Sequence, residues 1–241
     1  MATFVLVHGA WSGGWCYGKV AALLRARGHT VFTPTLTGQG ERSHLLSAGV
    51  NLSTHIADVT GVFDYEEIGS AVLAGHSYGG MVVTGVADRI AGRVSALVYL
   101  DAFLPESGQS LFDINIPANT QRFVANAGNC GGIAVPSPPA AFFNVNAADA
   151  ARVDRLATPF PMAAMAERLT LTGAHASVPR HVYVHGTVLP RESPFKPFYD
   201  RVKADPAWSA HALACGHHVM LDMPEKTAEI LEQAALAHSL N

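Results

Sequence analysis

The chain has 241 residues, of which 49% are hydrophobic and 15% are charged, and its formal net charge is −3. This length and composition predict one large α/β domain, or a core with an insertion, and exclude long disordered stretches. The slightly negative charge, without any run of basic residues, argues against nucleic acid and anionic membranes as partners.

The first residues and the cysteines indicate where the protein works. Residues 4–7 already form an apolar run, with no charged n-region or cleavage site before it, so we expect no signal peptide. No apolar run approaches the roughly 20 residues that span a bilayer. Cys16, Cys130 and Cys215 are odd in number and lack C-x-x-C spacing, which argues against a disulfide framework. We therefore expect a cytoplasmic protein.

Short apolar runs alternate with amphipathic segments along the first hundred residues. They predict strands at 4–7, 31–33, 71–74 and 94–100, and helices that run through 20–24, at about 53–64 and at 81–90. Gly28 is expected to stop the first helix, and Ser53 to act as the N-cap of the second.

The pattern changes between residues 104 and 179. This stretch is rich in Pro, Ala, Asn and Gly, shows no clear strand, and contains helical patterns at 144–156 and 162–169. We interpret 104–180 as a cap insertion in a single domain (1–241) whose core is formed by 1–103 and 181–241. The alternation then resumes with a strand at 181–185, a helix near 194–203, a strand near 209–214 and a helix at 227–237. Alternating strands and helices predict a mostly parallel sheet of about six strands with helices on both faces.

A G-x-S-x-G motif, Gly75-His76-Ser77-Tyr78-Gly79, lies between a predicted buried strand and a predicted helix. In this context the motif is typical of a nucleophile elbow, a strained strand-to-helix turn that exposes the serine. Side chains two residues before or after the serine would collide with the neighbouring strand and helix, so both positions are glycine. The N-terminus of the following helix favours negative charge. We therefore expect Ser77 to be a nucleophile.

A serine nucleophile needs a base and an oxyanion hole. His217 follows the last predicted strand and is our candidate for the base, with His218 as the alternative; Asp222 and Glu225 are expected to begin the last helix. The backbone N–H groups of Tyr78, directly after the nucleophile, and of Ala10, in the loop after the first strand, are the expected oxyanion hole.

Four motifs in this order resemble one family. They are His8-Gly9-Ala10-Trp11, Gly75-His76-Ser77-x-Gly79-Gly80, Phe103-Leu104-Pro105-Glu106 and His217-x-x-Met220. Together they are similar to the α/β-hydrolases of the plant salicylate-ester esterase and hydroxynitrile lyase group and their bacterial esterase relatives. The resemblance implies an α/β-hydrolase fold with no metal or organic cofactor, and relatives that are often homodimers. It also implies Ser77 as nucleophile, His217 as base, and the N–H groups of Ala10 and Tyr78 as oxyanion hole.

The chain departs from this family at the acid of the triad. The family's aspartate follows the strand that here is 182–185, and our alignment puts Leu189 at its position. Two carboxylates are candidates instead. Asp101 comes directly after the buried run 98–100, at the C-terminal end of a core strand, and is the favoured one. Glu192, further along the same loop as Leu189, is the alternative.

Two positions favour ester hydrolysis over cyanohydrin cleavage. The plant lyases have threonine and lysine where this chain has Gly9 and His218, and a neutral histidine cannot stabilise a cyanide leaving group. A hydroxynitrile-lyase-type enzyme remains an alternative. So does a non-catalytic small-ligand receptor, which the displaced acid favours and the retained Ser77 and His217 disfavour. Thioesters, lactones and amides would use the same machinery as a small ester.

Aromatic and small residues around the motifs predict an apolar substrate pocket between core and cap. Gly9, Trp11, Phe103 and His218 are its principal candidates, and further ones are Trp15, Tyr78, Phe112, Phe142, Phe143, Phe160 and Met162. The remaining histidines (His29, His55, His175, His211 and His238) lack the i,i+4 pairing with a third ligand that a metal site requires, so we expect no metal.

Overall fold

The computed structural model describes residues 1–236. Its strands are β1 (Thr3–Val7), β2 (Thr30–Phe32), β3 (Ala71–His76), β4 (Val94–Leu100), β5 (Ala134–Val135), β6 (Phe160–Pro161), β7 (His181–Gly186) and β8 (Trp208–Leu213). Its helices are α1 (Gly18–Ala26), α2 (Leu52–Tyr65), α3 (Gly79–Ile90), α4 (Leu111–Ile114), α5 (Pro117–Asn126), α6 (Ala147–Leu156), α7 (Met162–Ala166), α8 (Lys196–Lys203), α9 (Val219–Asp222) and α10 (Pro224–Leu236). Short 3₁₀ helices lie at Gly14–Tyr17, Gly40–Leu45, Ala91–Arg93, Ala127–Cys130, Ala140–Phe143 and Ala174–Ser177.

Six strands form one sheet in the order β2-β1-β3-β4-β7-β8, and every neighbouring pair is parallel. This confirms the predicted parallel sheet. All six residues of β3 are buried, as the continuous apolar run predicted, because both faces of the sheet are covered. The carboxyl ends of β1, β3, β4, β7 and β8 therefore meet along one edge, where open α/β sheets bind their ligands.

Successive side chains of each strand enter different cores. Leu73 packs with residues of α2, α3 and the segment 104–180, whereas Val72 and Ala74 pack with residues of α1 and α10 on the other face. The two-residue period of a strand explains this division. Helices thus cover both faces, as the sequence predicted.

The N-terminus of α2 differs from the prediction. The helix begins at Leu52 and its N-cap is Asn51, whose side-chain oxygen accepts a hydrogen bond from the Thr54 amide at 2.9 Å. Thr54 completes a reciprocal capping box with the Asn51 amide. Ser53, the predicted N-cap, lies inside the helix, and its amide donates to Glu167. Asn51 is the cap because it closes this box, which satisfies two amides.

The segment 104–180 contains one small sheet that the sequence did not indicate. Val135 of β5 pairs with Phe160 of β6 in an antiparallel ladder that is only two residues long, too short for an alternating pattern. The segment contacts the loop after β1, because the Trp11 indole donates to the carbonyl of Val135 at 2.9 Å and the Thr158 amide donates to that of Trp11 at 3.1 Å.

The C-terminal region differs from its prediction at two points. The last helix begins at Pro224, so Glu225 lies in its first turn as predicted, but Asp222 ends the preceding short helix α9. The predicted end of the last helix, residue 237, and His238 lie outside the described residues. None of the described helices combines the length and apolar character needed to cross a bilayer.

Candidate active site

Ser77 lies in a tight turn between β3 and α3, with a positive φ of 53°. The two flanking glycines make this turn possible. A Cβ on Gly75 would lie 2.5 Å from the Gly79 carbonyl oxygen, and a Cβ on Gly79 would lie 2.7 Å from the Val7 carbonyl oxygen. A non-glycine residue with positive φ is strained, and the packing of β3, α3 and β1 holds it in place. The result is a serine with 8% of its surface exposed at the carboxyl edge of the sheet.

The loop after β1 lies against this serine. A Cβ on Gly9 would come within 2.8 Å of the Ser77 Cβ, so only glycine fits there. Ala10 and Tyr78 directly follow the two residues of this contact in the chain, and neither backbone amide donates a hydrogen bond to any other residue in 1–236. Two unpaired N–H donors beside a nucleophile are what an oxyanion hole requires.

Asp101 follows β4, and its carboxylate is fully buried. Its φ is also positive, at 43°, so a second strained residue lies at a strand end of the site. The carboxylate Oδ2 accepts a hydrogen bond from Nδ1 of His217 at 2.7 Å. The order β4-β7-β8 brings these residues together, because Asp101 follows β4 and His217 lies in the loop after β8.

Aromatic rings hold the imidazole of His217 from several sides. The ring of Phe195 stacks on it in parallel, with centroids 4.7 Å apart and planes 4° apart. Phe143 lies 5.6 Å away with a 28° tilt, and the Phe143 carbonyl accepts a hydrogen bond from the His217 amide. With Nδ1 bound to Asp101, the free Nε2 is the atom available to a nucleophile.

Ser77 and His217 line the same pocket, whose cavity volume is about 40 Å³. Among residues 1–236 no hydrogen bond joins their side chains; catalytic hydrogen bonds of this kind commonly tighten only when substrate binds. Six aromatic residues form much of the pocket wall: Trp11, Phe103, Phe123, Phe142, Phe143 and Phe195. Asn115, Asn119 and Arg191 add a few polar groups, so the pocket suits a small apolar molecule with a polar group.

Comparison with known proteins gives this site a context. The profile of the Alpha/beta hydrolase family matches residues 4–230. The chain belongs to the alpha/beta hydrolase family. The "Carbendazim hydrolyzing esterase" of Nocardioides sp. (strain SG-4G) is 45% identical over 96% of this chain and 98% of that protein. The "Putative methylesterase 11, chloroplastic" of Arabidopsis thaliana is 28% identical over 75% of this chain and 50% of that protein.

A solved structure shows the same fold over nearly the whole chain. The extracellular alpha/beta-hydrolase from a Paenibacillus species, described as sharing homology with tobacco salicylic acid binding protein 2, superposes with a TM-score of 0.84. It is 24% identical, and the match covers 97% of this chain and 99% of that one. The resemblance to the plant salicylate-ester esterase group and its bacterial relatives is thereby confirmed.

In this alpha/beta hydrolase the two candidate acids lie in different places. Glu192 is exposed and lines a polar groove with Lys196 and Asp200, and it makes no hydrogen bond to His217 within the described chain. Leu189, at the position of the family's aspartate, lines the same groove. The carboxylate that accepts the hydrogen bond from His217 is that of Asp101.

Several residues predicted to contact substrate do not line the pocket. His218 is buried behind it, 4.9 Å from the ring of His76, and Gly9 lies beneath Ser77. The Tyr78 hydroxyl is hydrogen-bonded to His55 at 2.8 Å and faces away from the pocket's lining. The others that pack elsewhere are Trp15, Phe112, Phe160 and Met162.

Burial determines the charge of His218. Desolvation, together with the nearby His217, lowers the pKa of His218 to about 3, so its imidazole is neutral at physiological pH. Burial likewise lowers the pKa of His76 well below its usual value. Neither ring can therefore supply a cation to a leaving group.

Sequence reasoning missed several residues at the site, among them Phe195, which stacks on His217, Arg191, which lines the pocket, and His185, which contacts Asp101. Other missed residues of the pocket lining are Leu111, Asn115, Asn119, Phe123, Met165 and Pro194. None of them carried a local signal that set it apart; His185 is one of two histidines in β7. Across residues 1–236, no three His, Cys, Asp or Glu side chains are grouped so that they could hold a metal ion.

Proposed function

We propose that this alpha/beta hydrolase is a serine esterase that cleaves a small carboxylic ester through an acyl-enzyme intermediate. The observation that carries the proposal is the buried hydrogen bond, 2.7 Å long, between Asp101 and His217 at the pocket that also exposes Ser77. In this proposal Ser77 is the nucleophile, His217 the base and Asp101 the acid that orients the base, an arrangement that acyl-transfer enzymes share across unrelated folds.

Each group has one role in the reaction. His217 Nε2 takes the proton from the Ser77 hydroxyl as its oxygen attacks the ester carbonyl. The amides of Ala10 and Tyr78 stabilise the oxyanion, and the helix α3 directs its N-terminus at the same point. His217 then gives the proton to the departing alcohol, and water releases the acyl group by the same path.

Asp101 determines which imidazole nitrogen acts. By accepting the proton of Nδ1 it fixes the tautomer that leaves Nε2 free, and it stabilises the imidazolium that forms in the transition state. The stacked ring of Phe195 excludes water from one face of the base. We propose Asp101 rather than Glu192 as the acid on this ground.

The two other functions considered have less support. The plant cyanohydrin lyases have a lysine directly after the catalytic histidine, where this chain has the neutral His218. The Arg191 guanidinium at the pocket donates to the Phe142 carbonyl and packs on the Phe142 ring, so it is not the equivalent of that lysine, and mandelonitrile should release no cyanide above the uncatalysed rate. A non-catalytic receptor would not need a base whose tautomer is fixed by a buried carboxylate.

The cap and the pocket guide the choice of substrate. We propose that the segment 104–180 acts as a cap, since its Phe123, Phe142 and Phe143 supply half of the aromatic wall. Because the Nocardioides relative is 45% identical over nearly the whole chain, carbendazim is the first individual compound to test.

Further expectations accompany this assignment. We propose that the protein acts in the cytoplasm, which the free thiols of Cys16, Cys130 and Cys215 support. We also propose that it needs no cofactor. The homodimer implied by the resemblance stays a prediction.

The test is release of p-nitrophenol from short p-nitrophenyl esters by the wild type and by Ser77→Ala. Ser53→Ala, which changes an exposed serine on α2, is the matched control. We expect turnover in the wild type and the control, and none above background in Ser77→Ala. Turnover that survives in Ser77→Ala, or none in the wild type, would reject the proposal.

A further inference from the structure

The buried carboxylate of Asp101 contacts two histidines. Its Oδ2 accepts from Nδ1 of His217 and its Oδ1 from Nδ1 of His185, each at 2.7 Å. Oδ1 also accepts the backbone amide of Gly186 at 3.1 Å. The Asp101 side chain is 0% exposed and that of His185 is 7% exposed, so this His–Asp–His arrangement lies away from water.

No lysine or arginine accompanies this buried carboxylate within the described chain. A buried charge is tolerated only when hydrogen bonds replace its lost hydration. Three donors do so here, two of them at Oδ1. Without His185, Oδ1 would keep one donor, and the carboxylate would be less firmly oriented.

We propose that His185 is a positioning residue, which holds Asp101 turned so that Oδ2 faces His217. This inference rests on the proposed function, because it concerns how the acid of that triad is kept in place. His185 does not line the substrate pocket, so it acts through Asp101.

The surroundings of His185 fit this role. Its ring packs on Tyr199 of α8, with centroids 5.3 Å apart. His185 also lines a polar groove whose charged residues are Arg191, Glu192, Lys196 and Asp200; of these, Arg191 lines the substrate pocket as well. The acid is thus supported by a histidine that is not part of the pocket lining.

Two substitutions at one position separate the hydrogen bond from packing. His185→Phe keeps an aromatic ring on Tyr199 but has no donor. His185→Asn places an amide N–H close to where Nδ1 lies and keeps the donor. We expect kcat to fall about 10- to 100-fold in His185→Phe, the range for loss of a hydrogen bond to a charged group, with KM unchanged. In His185→Asn, kcat should recover most of this loss.

The pH profile gives a readout that a merely structural role would not move. If His185 orients the carboxylate that contacts the base, the acid limb of kcat/KM should move in His185→Phe and stay in place in His185→Asn. A variant with a lower Tm but wild-type kcat and pH profile would overturn the inference while leaving the proposed function intact.

A spectroscopic measurement keeps the test independent of turnover. Nitrogen-15 NMR of labelled histidine reports which His217 nitrogen carries the proton, and His217→Gln assigns the signal. We expect protonated Nδ1 in the wild type and His185→Asn, and a mixture of tautomers in His185→Phe. An unchanged Nδ1–H signal in His185→Phe would refute the positioning role. A wild-type enzyme without any turnover that depends on Ser77 would refute only the proposed function.

Discussion

Replacing Asp101 with asparagine changes one oxygen of the carboxylate into an amide NH₂ group at almost constant shape. The surroundings determine how the amide will lie. On the Oδ1 side it faces the Gly186 amide, which can only donate, as well as His185. The amide oxygen must therefore lie on that side, and the NH₂ group must face Nδ1 of His217.

This orientation reverses the tautomer of the base. Nδ1 of His217 would accept from the amide, so Nε2 would carry the proton and could not take one from Ser77. We expect kcat to fall by about 10⁴, the scale of this loss in serine hydrolases, with little change in KM. Asparagine also tolerates the positive φ of 43° at this position, so the fold should survive.

The assay is p-nitrophenyl ester hydrolysis, with thermal unfolding followed by circular dichroism. Glu192→Gln is the matched control, since it makes the same carboxylate-to-amide change at the other candidate acid, in the exposed groove. An Asp101→Asn enzyme that keeps wild-type kcat, together with an inactive Glu192→Gln enzyme, would refute the reasoning and move the acid to Glu192.

Two further predictions concern stability. Burial lowers the pKa of His8 to about 4 and that of His218 to about 3, so each stays neutral when folded but binds a proton when unfolded below pH 6.5. The free energy of unfolding should therefore fall by about 4 kcal/mol between pH 7 and pH 5. Thermal unfolding at the two pH values tests this, and an unchanged Tm would contradict it. Gly75→Ala should lower the free energy of unfolding by about 1–3 kcal/mol, because the new Cβ would clash with Gly79. Gly92→Ala is the control, since a Cβ there meets nothing within 4 Å, and urea unfolding measures both variants.

The fold could be predicted because its signals are local. The run 71–74, the glycines around Ser77 and the apolar spacing after it determine a strand, a turn and a helix within about twenty residues. The parallel sheet follows from repetition of the same alternation. The cap sheet escaped prediction because two-residue strands have no period.

The site is less accessible to sequence reasoning because its contacts are remote. The hydrogen bond between Asp101 and His217 joins residues 116 positions apart and depends on the strand order β4-β7-β8. Its position at a strand end favoured Asp101 over Glu192, but nothing in the sequence showed which of the two carboxylates reaches His217. His185 was hidden among twelve histidines, since its partner lies on another strand.

Backbone strain marks the same places, and only the strain at Ser77 was predicted from the sequence. Trp11, Ser77 and Asp101 follow β1, β3 and β4, and all three have positive φ. A strand end is where a side chain can turn out of the sheet toward a ligand, at the cost of a strained backbone.

The central claim is that Ser77 becomes covalently acylated during turnover. The most direct measurement is mass spectrometry of the enzyme quenched by acid early in its reaction with p-nitrophenyl acetate. We expect one added acetyl group on the peptide that carries Ser77, and none in Ser77→Ala. Turnover without any acylated Ser77 peptide, or acetylation confined to another residue, would contradict it.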